Sequence, residues 1–417
     1  NSAISLENLE KYVAMYNRGI VPCIPEKGSL GTSGDLGPLA CIALVGTGQW
    51  RARYQGQAMP GAEALRRANI EPMTLSYKEG LALINGTSVM TALAACHVVA
   101  AKNLIKAHTL AACLTLEVLK AKIMPFHPAA HRQKPHPGQI RIADAIYTTL
   151  ADSKMIVQDR QVEAWLRKMA RDEPRGLDEQ IEDAYSIRAT PQVLGPVLDT
   201  TLFVEQTVTT ELNSSNDNPL IVVEEGEAIH NANFHGQYIS NAMDQLAIVL
   251  VTLCNLSERR NNRLLHPSLN GDLPPFLCAS NPGMSQGLMG GQFMATSLTA
   301  ELRHTAAPIS IQSLPSTGDF QDHVSFGLVA ARRTRDTLAD ARRIVAYELI
   351  CAAQAADIRG IDGLSSSTRM LYGMVREHVP YLDHDEPLTD YIEAVAALFE
   401  SGALLDALPE ECDGYDW

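Results

Sequence analysis

A run of small and turn-forming residues near the start of the chain, residues 31–40, carries the residue types needed to make an electrophile from the backbone. If the amide nitrogen of Gly34 attacks the carbonyl carbon of Thr32, a five-membered imidazolone ring closes. Ser33 supplies a hydroxyl that can leave as water, and Gly34 lets the chain fold tightly enough for its nitrogen to reach. The stretch predicts a 4-methylidene-imidazol-5-one group made from Thr32, Ser33 and Gly34, without an external cofactor.

The same stretch also fits a turn that caps an apolar helix. Asp35 would lie near the N-cap and Pro38 in the first turn, with apolar residues following as far as Leu44. Helix starts of this kind bind anions without any chemistry. The nucleophile-elbow pattern G-x-S-x-G is not met, because Gly34 follows Ser33 directly. These ten residues leave both interpretations open.

Other polar residues stand at breaks between apolar runs. Asn85 lies just before the long run that begins at Ser88, where it would cap a helix or hydrogen-bond an imidazolone carbonyl or a substrate carboxylate. Tyr185 and Arg188 are three residues apart, so that in a helix their side chains share a face. Arginine suits bidentate carboxylate recognition and a tyrosine hydroxyl can pass a proton, whereas a solvated ion pair is the alternative.

Further segments combine turn formers with aromatic residues. Residues 213–219 are a cluster of turn formers, and Phe234 is available to pack against a planar ring. Residues 319–323 offer an aromatic side chain and an amide where the last long helix is predicted to begin. No metal site is predicted at His127 and His131, because prolines interrupt the helix that would align them and no further ligand completes the set.

The composition indicates a large protein with reduced thiols. Its 417 residues, 46% of them hydrophobic and 20% charged, suffice for a large core. The net charge of −14 argues against a nucleic-acid or anionic-membrane partner. The eight cysteines form no C-x-x-C pair, and we expect a cytoplasmic location. We expect neither a signal peptide nor a membrane span, since Lys102 and Lys106 interrupt the longest apolar run.

Helical periodicity dominates the chain. Long apolar runs predict helices at residues 88–122, 237–265 and 322–358, and a shorter run predicts one at residues 287–302. We therefore predict an all-α bundle of long helices. Oligomerisation is expected, because a long helix that is apolar on every face needs neighbours all around it.

The organisation beyond these helices is simple. Residues 1–380 are predicted to form one helical domain, and residues 381–417 an acidic C-terminal helix and tail, with the helix around residues 390–400. Alternating patterns are scarce, and residues 220–223 with residues 230–234 are predicted to form a small hairpin.

In this order, the motifs resemble the aromatic amino-acid ammonia-lyase and aminomutase family, whose members share an internally made methylidene-imidazolone. The likeness runs from about Pro22 to Gly360 and is most marked, in residues 31–38, 181–188 and 316–322, to the bacterial phenylalanine 2,3-aminomutase branch. The resemblance implies the long-helix fold of the histidine and phenylalanine ammonia-lyases and a homotetramer with sites built from several subunits. It also decides for the cofactor over the cap.

The resemblance further assigns roles to individual residues. Asn85 would hold the imidazolone ring or the carboxylate, Arg188 would clamp the substrate carboxylate, and Tyr185 would lie beside the amine. Phe234 would support the prosthetic ring. The residues implied to line an apolar pocket for the substrate ring are Leu81, Phe293 and Phe320.

Three glutamine and glutamate positions bear on the substrate. Gln321 stands where histidine ammonia-lyases, which resemble this region, have a glutamate suited to an imidazole, so glutamine favours a phenyl or phenol ring. Gln286 stands where an apolar residue is expected and would meet a para-hydroxyl, which keeps tyrosine open. Glu182 stands where many lyases have glutamine, and nothing in the sequence explains that change.

The implied chemistry begins with addition of the substrate amine to the methylidene carbon, followed by loss of a β-proton and C–N cleavage to an arylacrylate. An aminomutase retains the arylacrylate and returns the amine to the β-carbon, whereas an ammonia-lyase releases both. The resemblance favours an aminomutase acting on L-phenylalanine or L-tyrosine. The alternatives are an ammonia-lyase for the same substrates and a catalytically inactive helical scaffold or fragment.

Family members also carry an N-terminal segment with a mobile loop, whose tyrosine removes the β-proton. Residues 1–417 do not contain it, since Ser33 follows closely on Asn1. We expect the sequence to be a fragment or the loop to come from another chain. Residues 1–417 alone are expected to build the helical core without turning over substrate.

Overall fold

The computed structural model describes residues 1–158, Ala164, residues 182–280 and residues 283–404. The chain divides into two compact units, each assembled from three stretches of sequence. The first unit contains Asn1–Cys96, Val204–Gln245 and Pro308–Thr334, and the second contains His97–Phe203, Leu246–Ala307 and Arg335–Trp417.

Helices make up most of the described chain, and the prediction of an all-α fold is confirmed. In chain order the elements are α1 (Leu6–Asn17), β1 (Val21–Pro22), α2 (Leu36–Gly46), β2 (Arg51–Tyr54), β3 (Gln57–Pro60), α3 (Gly61–Arg67), α4 (Glu79–Ile84), α5 (Ser88–Val118), α6 (Pro128–Arg132), α7 (Pro137–Thr149), α8 (Tyr185–Arg188), α9 (Thr190–Leu212), β4 (Leu220–Val222), β5 (Glu227–Ile229), α10 (Gln237–Leu265), α11 (Met289–Thr305), α12 (Gly327–Arg359), α13 (Ser366–Arg376) and α14 (Thr389–Ser401).

The first unit contains a three-stranded antiparallel sheet that sequence analysis missed. Strand β2 pairs with both neighbours, so that Ala52 lies opposite Pro22 on one side and Met59 on the other. Ala52 is fully buried in an apolar cluster with Val45 of α2 and Leu65 of α3. The strands have only two to four residues, which is too short for a period of two to show in the sequence.

The second unit buries a charged group among its long helices. Arg260 of α10 and Glu348 of α12 are fully buried, and the guanidinium Nε lies 2.5 Å from a carboxylate oxygen. Ser257 also donates to this carboxylate, and Thr115 donates to it over 3.1 Å. Burial, and secondly the Arg260 charge, hold the pKa of His108 well below its usual range. Because a buried ion pair needs further hydrogen bonds to offset its desolvation, these helices must meet in one register.

Two predicted elements begin at other residues than expected. The last long helix begins at Gly327 and not at residue 322, because Phe326 has a φ angle of 54°, which a right-handed helix does not allow, and Asp319 before it has one of 62°. The segment at residues 319–323 is therefore a loop. In the hairpin, Val222 pairs with Glu227 directly after the turn, so residues 230–234 are not its second strand.

The C-terminal region contains the helix expected there, since α14 covers Thr389–Ser401. The remainder of the predicted tail, residues 405–417, lies outside the described residues. The division into a domain at residues 1–380 and a tail at residues 381–417 stays a prediction.

In the described part of the chain, two helices, Ser88–Val118 and Gln237–Leu265, are long and apolar enough to cross a membrane. The same length and composition occur in core helices of soluble proteins. The expectation of no membrane partner therefore stays a prediction.

The buried carboxylate of Glu79, on α4, holds α1 against α4. Glu79, which is 3% exposed, accepts hydrogen bonds from the backbone N–H of Ser5 at 2.8 Å and of Ser76 at 2.6 Å, and from the Asn8 amide at 3.0 Å. The hydrogen bonds from Ser5, before those from Ser76 and Asn8, lower the pKa of Glu79 to about 2. The carboxylate form thus holds α1 against α4.

Replacing Glu79 by glutamine should lower the melting temperature by several degrees at neutral pH and flatten its dependence on acid. Because the pKa of Glu79 falls from 4.5 to about 2 on folding, its contribution is complete above about pH 4.5 and is lost toward pH 2. Thermal unfolding across this range measures the effect, with the exposed Glu10→Gln as the control. Parallel curves for E79Q and the unsubstituted protein would contradict the prediction.

Candidate active site

The predicted cofactor tripeptide forms a tight loop directly ahead of α2. Thr32 and Gly34 are buried, and Ser33 is half-buried. Gly34 has a φ of 68°, in the left-handed region that glycine adopts without a steric penalty. A Cβ atom at this position would also overlap the carbonyl group of Gly86. The loop therefore requires glycine both for its backbone angle and for its contact.

Gly86, in the short connection between α4 and α5, pairs with the tripeptide in the manner of a parallel strand. Its N–H donates to the carbonyl of Ser33 at 3.3 Å, and its own carbonyl accepts from the N–H of Asp35 at 2.7 Å. The pairing fixes the backbone on both sides of Gly34.

Asp35 occupies the N-cap position of α2, but its side chain does not cap that helix. The fully buried carboxylate accepts instead from the N–H of Met90, in the first turn of α5, at 2.7 Å and from the Ser29 hydroxyl at 2.9 Å. Burial raises the pKa of Asp35, and these hydrogen bonds oppose that rise. The side chain of Asp35, expected to cap α2, thus caps the start of α5 instead.

The carbonyl of Gly31 anchors the other end of the loop. It accepts from the N–H of Gly236 at 2.9 Å and from the hydroxyl of Ser325 at 2.8 Å. Phe234, implied to support the prosthetic ring, is half-buried two residues before Gly236. Its position in the chain therefore suits that role, which stays a prediction.

Gln321 bridges two side chains of the tripeptide. Its Oε1 accepts from the Thr32 hydroxyl at 2.9 Å, and its Nε2 donates to the Ser33 hydroxyl at 3.2 Å. The backbone of Gln321 pairs with Ser316 in a short antiparallel bridge, so the turn between them aims the amide at the loop. Gln321, which was expected at the start of the last long helix, thus contacts the tripeptide from a turn that precedes this helix.

Asn85 ends α4 and does not cap α5. Its Nδ2 donates to the carboxylate of Asp217 at 2.9 Å. Asp217 is 2% exposed and forms an ion pair with Lys78. Sequence analysis named the segment of residues 213–219 but neither Asp217 nor Lys78, because the two residues meet only in the fold.

The residues expected to line an apolar pocket are exposed within their own units. In the first unit, Leu81 on α4 is 40% exposed and Phe320 in the turn before Gln321 is 87% exposed. In the second unit, Phe293 on α11 is 66% exposed. The pocket stays a prediction.

Tyr185 and Arg188 of the second unit share a face of α8, as their spacing predicts. The guanidinium carbon of Arg188 lies 5.0 Å from the centre of the Tyr185 ring. Arg188 also pairs with Glu182 at 2.7 Å, so the ion-pair alternative is present as well. Among the residues that the structure describes, the buried Nε of Arg188 has no hydrogen-bond partner, which leaves a donor for an anionic ligand.

Among the described residues, no cluster of three or more His, Cys, Asp or Glu side chains could hold a metal ion. His127 caps the short helix α6, and His131 hydrogen-bonds the carbonyl of Pro125 at 2.9 Å. Both histidines therefore have structural partners.

The first unit contains a left-handed glycine loop that is paired to a helix start and bridged by an amide, and the second unit contains a Tyr-Arg pair. The aromatic amino acid lyase family matches residues 1–377, and the chain belongs to this family of enzymes. The resemblance inferred from the motifs is confirmed.

Individual relatives include both lyases and aminomutases. The tyrosine ammonia-lyase of Cupriavidus metallidurans is 44% identical over 411 residues, covering 98% of this chain and 77% of the relative. The histidine ammonia-lyase of Caldanaerobacter subterraneus is 40% identical over 410 residues, covering 98% and 77%. The solved phenylalanine aminomutase of Pantoea agglomerans is 55% identical with a TM-score of 0.93, covering 96% of this chain and 78% of that one.

Replacing Gly34 by alanine should lower the free energy of unfolding by about 2 to 4 kcal/mol, because the new Cβ meets both the left-handed backbone and the Gly86 carbonyl. Gly37→Ala is the matched control, since a Cβ there would lie an ordinary 3.6 Å from the nearest atom, the Gly28 carbonyl oxygen. Denaturant unfolding measures both variants. Equal stabilities would refute the steric argument for Gly34.

Proposed function

We propose that this protein is an aromatic L-amino acid 2,3-aminomutase, converting L-phenylalanine or L-tyrosine to the β-amino acid through a retained arylacrylate. The carrying observation is the loop of Thr32, Ser33 and Gly34, clamped on one side by Gly86 and on the other by the Gln321 amide. We further propose a cytoplasmic homotetramer.

The tripeptide fits a methylidene-imidazolone. Gly34 has the left-handed backbone that a tight closure needs, and the hydroxyl that must leave, on Ser33, accepts a hydrogen bond from Gln321. When formed, the group supplies an electrophilic carbon to the substrate amine. Since the loop is largely buried and hydrogen-bonded at both ends, its geometry is set before substrate arrives.

The chain's own residues bind and orient the substrate in this proposal. Arg188 offers to the carboxylate a guanidinium whose buried Nε has no partner within the described ranges of the chain. Tyr185, packed on that guanidinium, offers a hydroxyl for proton transfer beside the amine. The ring of Tyr185 and the ion pair with Glu182 restrict the rotamers of Arg188, so less entropy is lost on binding.

The ring of the substrate is proposed to be phenyl or phenol. Gln321 is neutral, and both ends of its amide are engaged by Thr32 and Ser33, so it places no carboxylate beside the electrophile. Tyrosine stays a candidate because Gln286 is exposed and is held by its backbone, whose N–H donates to Asp385 at 3.0 Å and whose carbonyl accepts from Met289 at 3.3 Å. The Gln286 side chain would meet a para-hydroxyl.

Ammonia-lyase activity on the same substrates is the second candidate, favoured by the 44% identity to a tyrosine ammonia-lyase. Aminomutase activity is placed first because of the 55% identity to a phenylalanine aminomutase. The two reactions share every step up to the arylacrylate and differ in whether it is held.

The mass of the tryptic peptide that contains Ser33 tests the electrophile. We expect it to be lighter than the unmodified sequence by two waters, with the loss mapped to Thr32, Ser33 and Gly34, since cyclisation and elimination each release one. Ser33→Ala cannot eliminate its side chain and is the control. An unmodified wild-type peptide would favour an inactive scaffold.

The products distinguish an aminomutase from a lyase. The test uses a complete enzyme, in which the N-terminal loop with its tyrosine accompanies residues 1–417. After incubation with L-phenylalanine or L-tyrosine, β-amino acid should exceed free arylacrylate, and Ser33→Ala should lower its formation by at least about a thousandfold, because it lacks the electrophile. Chromatographic separation measures both products. Arylacrylate and ammonia without β-amino acid would refute the aminomutase and support the lyase.

A further inference from the structure

Asn85 lies next to the tripeptide, because the residue after it in the chain is hydrogen-bonded to the tripeptide loop. It directly follows the last residue of α4, Ile84, and the next residue, Gly86, exchanges backbone hydrogen bonds with Ser33 and Asp35. The Asn85 side chain is 8% exposed, so its amide needs partners inside the protein. The orientation of that amide decides whether a ligand meets a donor or an acceptor.

The loop of residues 216–218 fixes this orientation. Nδ2 of Asn85 lies 2.9 Å from a carboxylate oxygen of Asp217 and 3.4 Å from the carbonyl oxygen of Asn218. A carboxylate and a carbonyl can only accept, so the NH₂ group must face both of them. The amide oxygen of Asn85 is then the only atom of the group left to meet a ligand.

Asp217 is itself held in place by hydrogen bonds and an ion pair. One oxygen accepts from Asn85 and from the N–H of Asn218 at 2.7 Å, and the other forms an ion pair with Lys78. The Lys78 side chain is 15% exposed and also donates to the carbonyl of Ser2 at 3.1 Å. A buried carboxylate without a cation is costly, so Lys78 keeps Asp217 as an acceptor for the Asn85 amide.

We propose that Lys78 and Asp217 are positioning residues that present the Asn85 oxygen to the substrate, where it accepts a hydrogen bond from the amine. This inference rests on the proposed function and deepens it. It assigns Asn85 to the amine, because an oxygen cannot donate to the substrate carboxylate or to an imidazolone carbonyl.

A pair of ligands that differ in the amine separates the two roles. L-Phenylalanine carries an amine and a carboxylate, whereas cinnamate, the matching arylacrylate, carries only the carboxylate. If Asn85 accepts from the amine, loss of its orientation weakens the amino acid alone. If Asn85 donates to the carboxylate, both ligands weaken together.

The experiment measures binding of both ligands by calorimetry in the Ser33→Ala background, where no reaction consumes the amino acid. Adding Lys78→Met should raise the Kd of L-phenylalanine about tenfold or more and change the Kd of cinnamate less than about twofold. The double change Lys78→Met with Asp217→Asn leaves no unpaired charge, and its amide at 217 can donate to Asn85. It should give the same selective loss.

Two further variants control for the loss of a lysine as such. Lys78→Arg keeps a cation against Asp217 and should keep the Kd of L-phenylalanine within about threefold. Lys11→Met removes a lysine paired with Glu7 in the same unit and should change neither Kd. Thermal unfolding identifies any variant whose fold is lost, and the double variant then decides.

Each result has one meaning. Equal weakening of both ligands, or no weakening of either, overturns the positioning role of Lys78 and Asp217 while the proposed function stands. If the Ser33→Ala protein with Lys78 and Asp217 intact binds neither ligand, the proposed function fails instead, and with it this inference. Selective loss of the amino acid supports both.

Discussion

The buried carboxylate of Asp35 is the interaction on which the geometry of the site depends. One carboxylate oxygen of Asp35 accepts from the N–H of Met90 at the start of α5, and the backbone N–H of Asp35 donates to the carbonyl of Gly86. A helix start has unpaired N–H groups. A carboxylate placed there accepts a hydrogen bond from one of them and interacts favourably with the helix dipole. The start of the long α5 helix and the tripeptide loop are therefore one structural unit.

Other contacts hold the loop from segments that are far away in sequence. Gly236, Ser325 and Gln321 each donate a hydrogen bond to it, from the entry of α10, the entry of α12 and the turn before α12. Gly236 and Ser325 lie at the starts of helices and Gln321 lies in a turn before one, so the packing of these helices helps to set the loop. The reactive geometry is thus a property of the whole first unit.

The long helices could be predicted because their apolar patterns are long. The run at residues 237–265 matches α10 at both ends, and the run from Ser88 gives α5. The three-stranded sheet could not, since strands of two to four residues carry too little pattern. The left-handed angle at Phe326, directly before α12, also leaves no periodic signal.

The site was predictable where residue types carry the chemistry and unpredictable where partners meet through the fold. Thr32, Ser33 and Gly34 stand out because few combinations can close such a ring, and the spacing of Tyr185 and Arg188 predicts their contact. The bond from Asn85 to Asp217 joins residues 132 positions apart, and nothing in either segment points to the other. Residue types and short spacings can be read from the sequence, but contacts between distant segments depend on the topology of the fold.

The separation of Ser33 from Gln321 has a consequence for the order of events during synthesis. The two hydrogen-bonded residues lie 288 positions apart, so a ribosome adding about 5 to 20 residues per second needs roughly 15 to 60 seconds between them. The tripeptide leaves the ribosome long before its clamp exists. On the proposed chemistry, the ring at Ser33 would then close only after the rest of the first unit has been translated and has folded around the tripeptide.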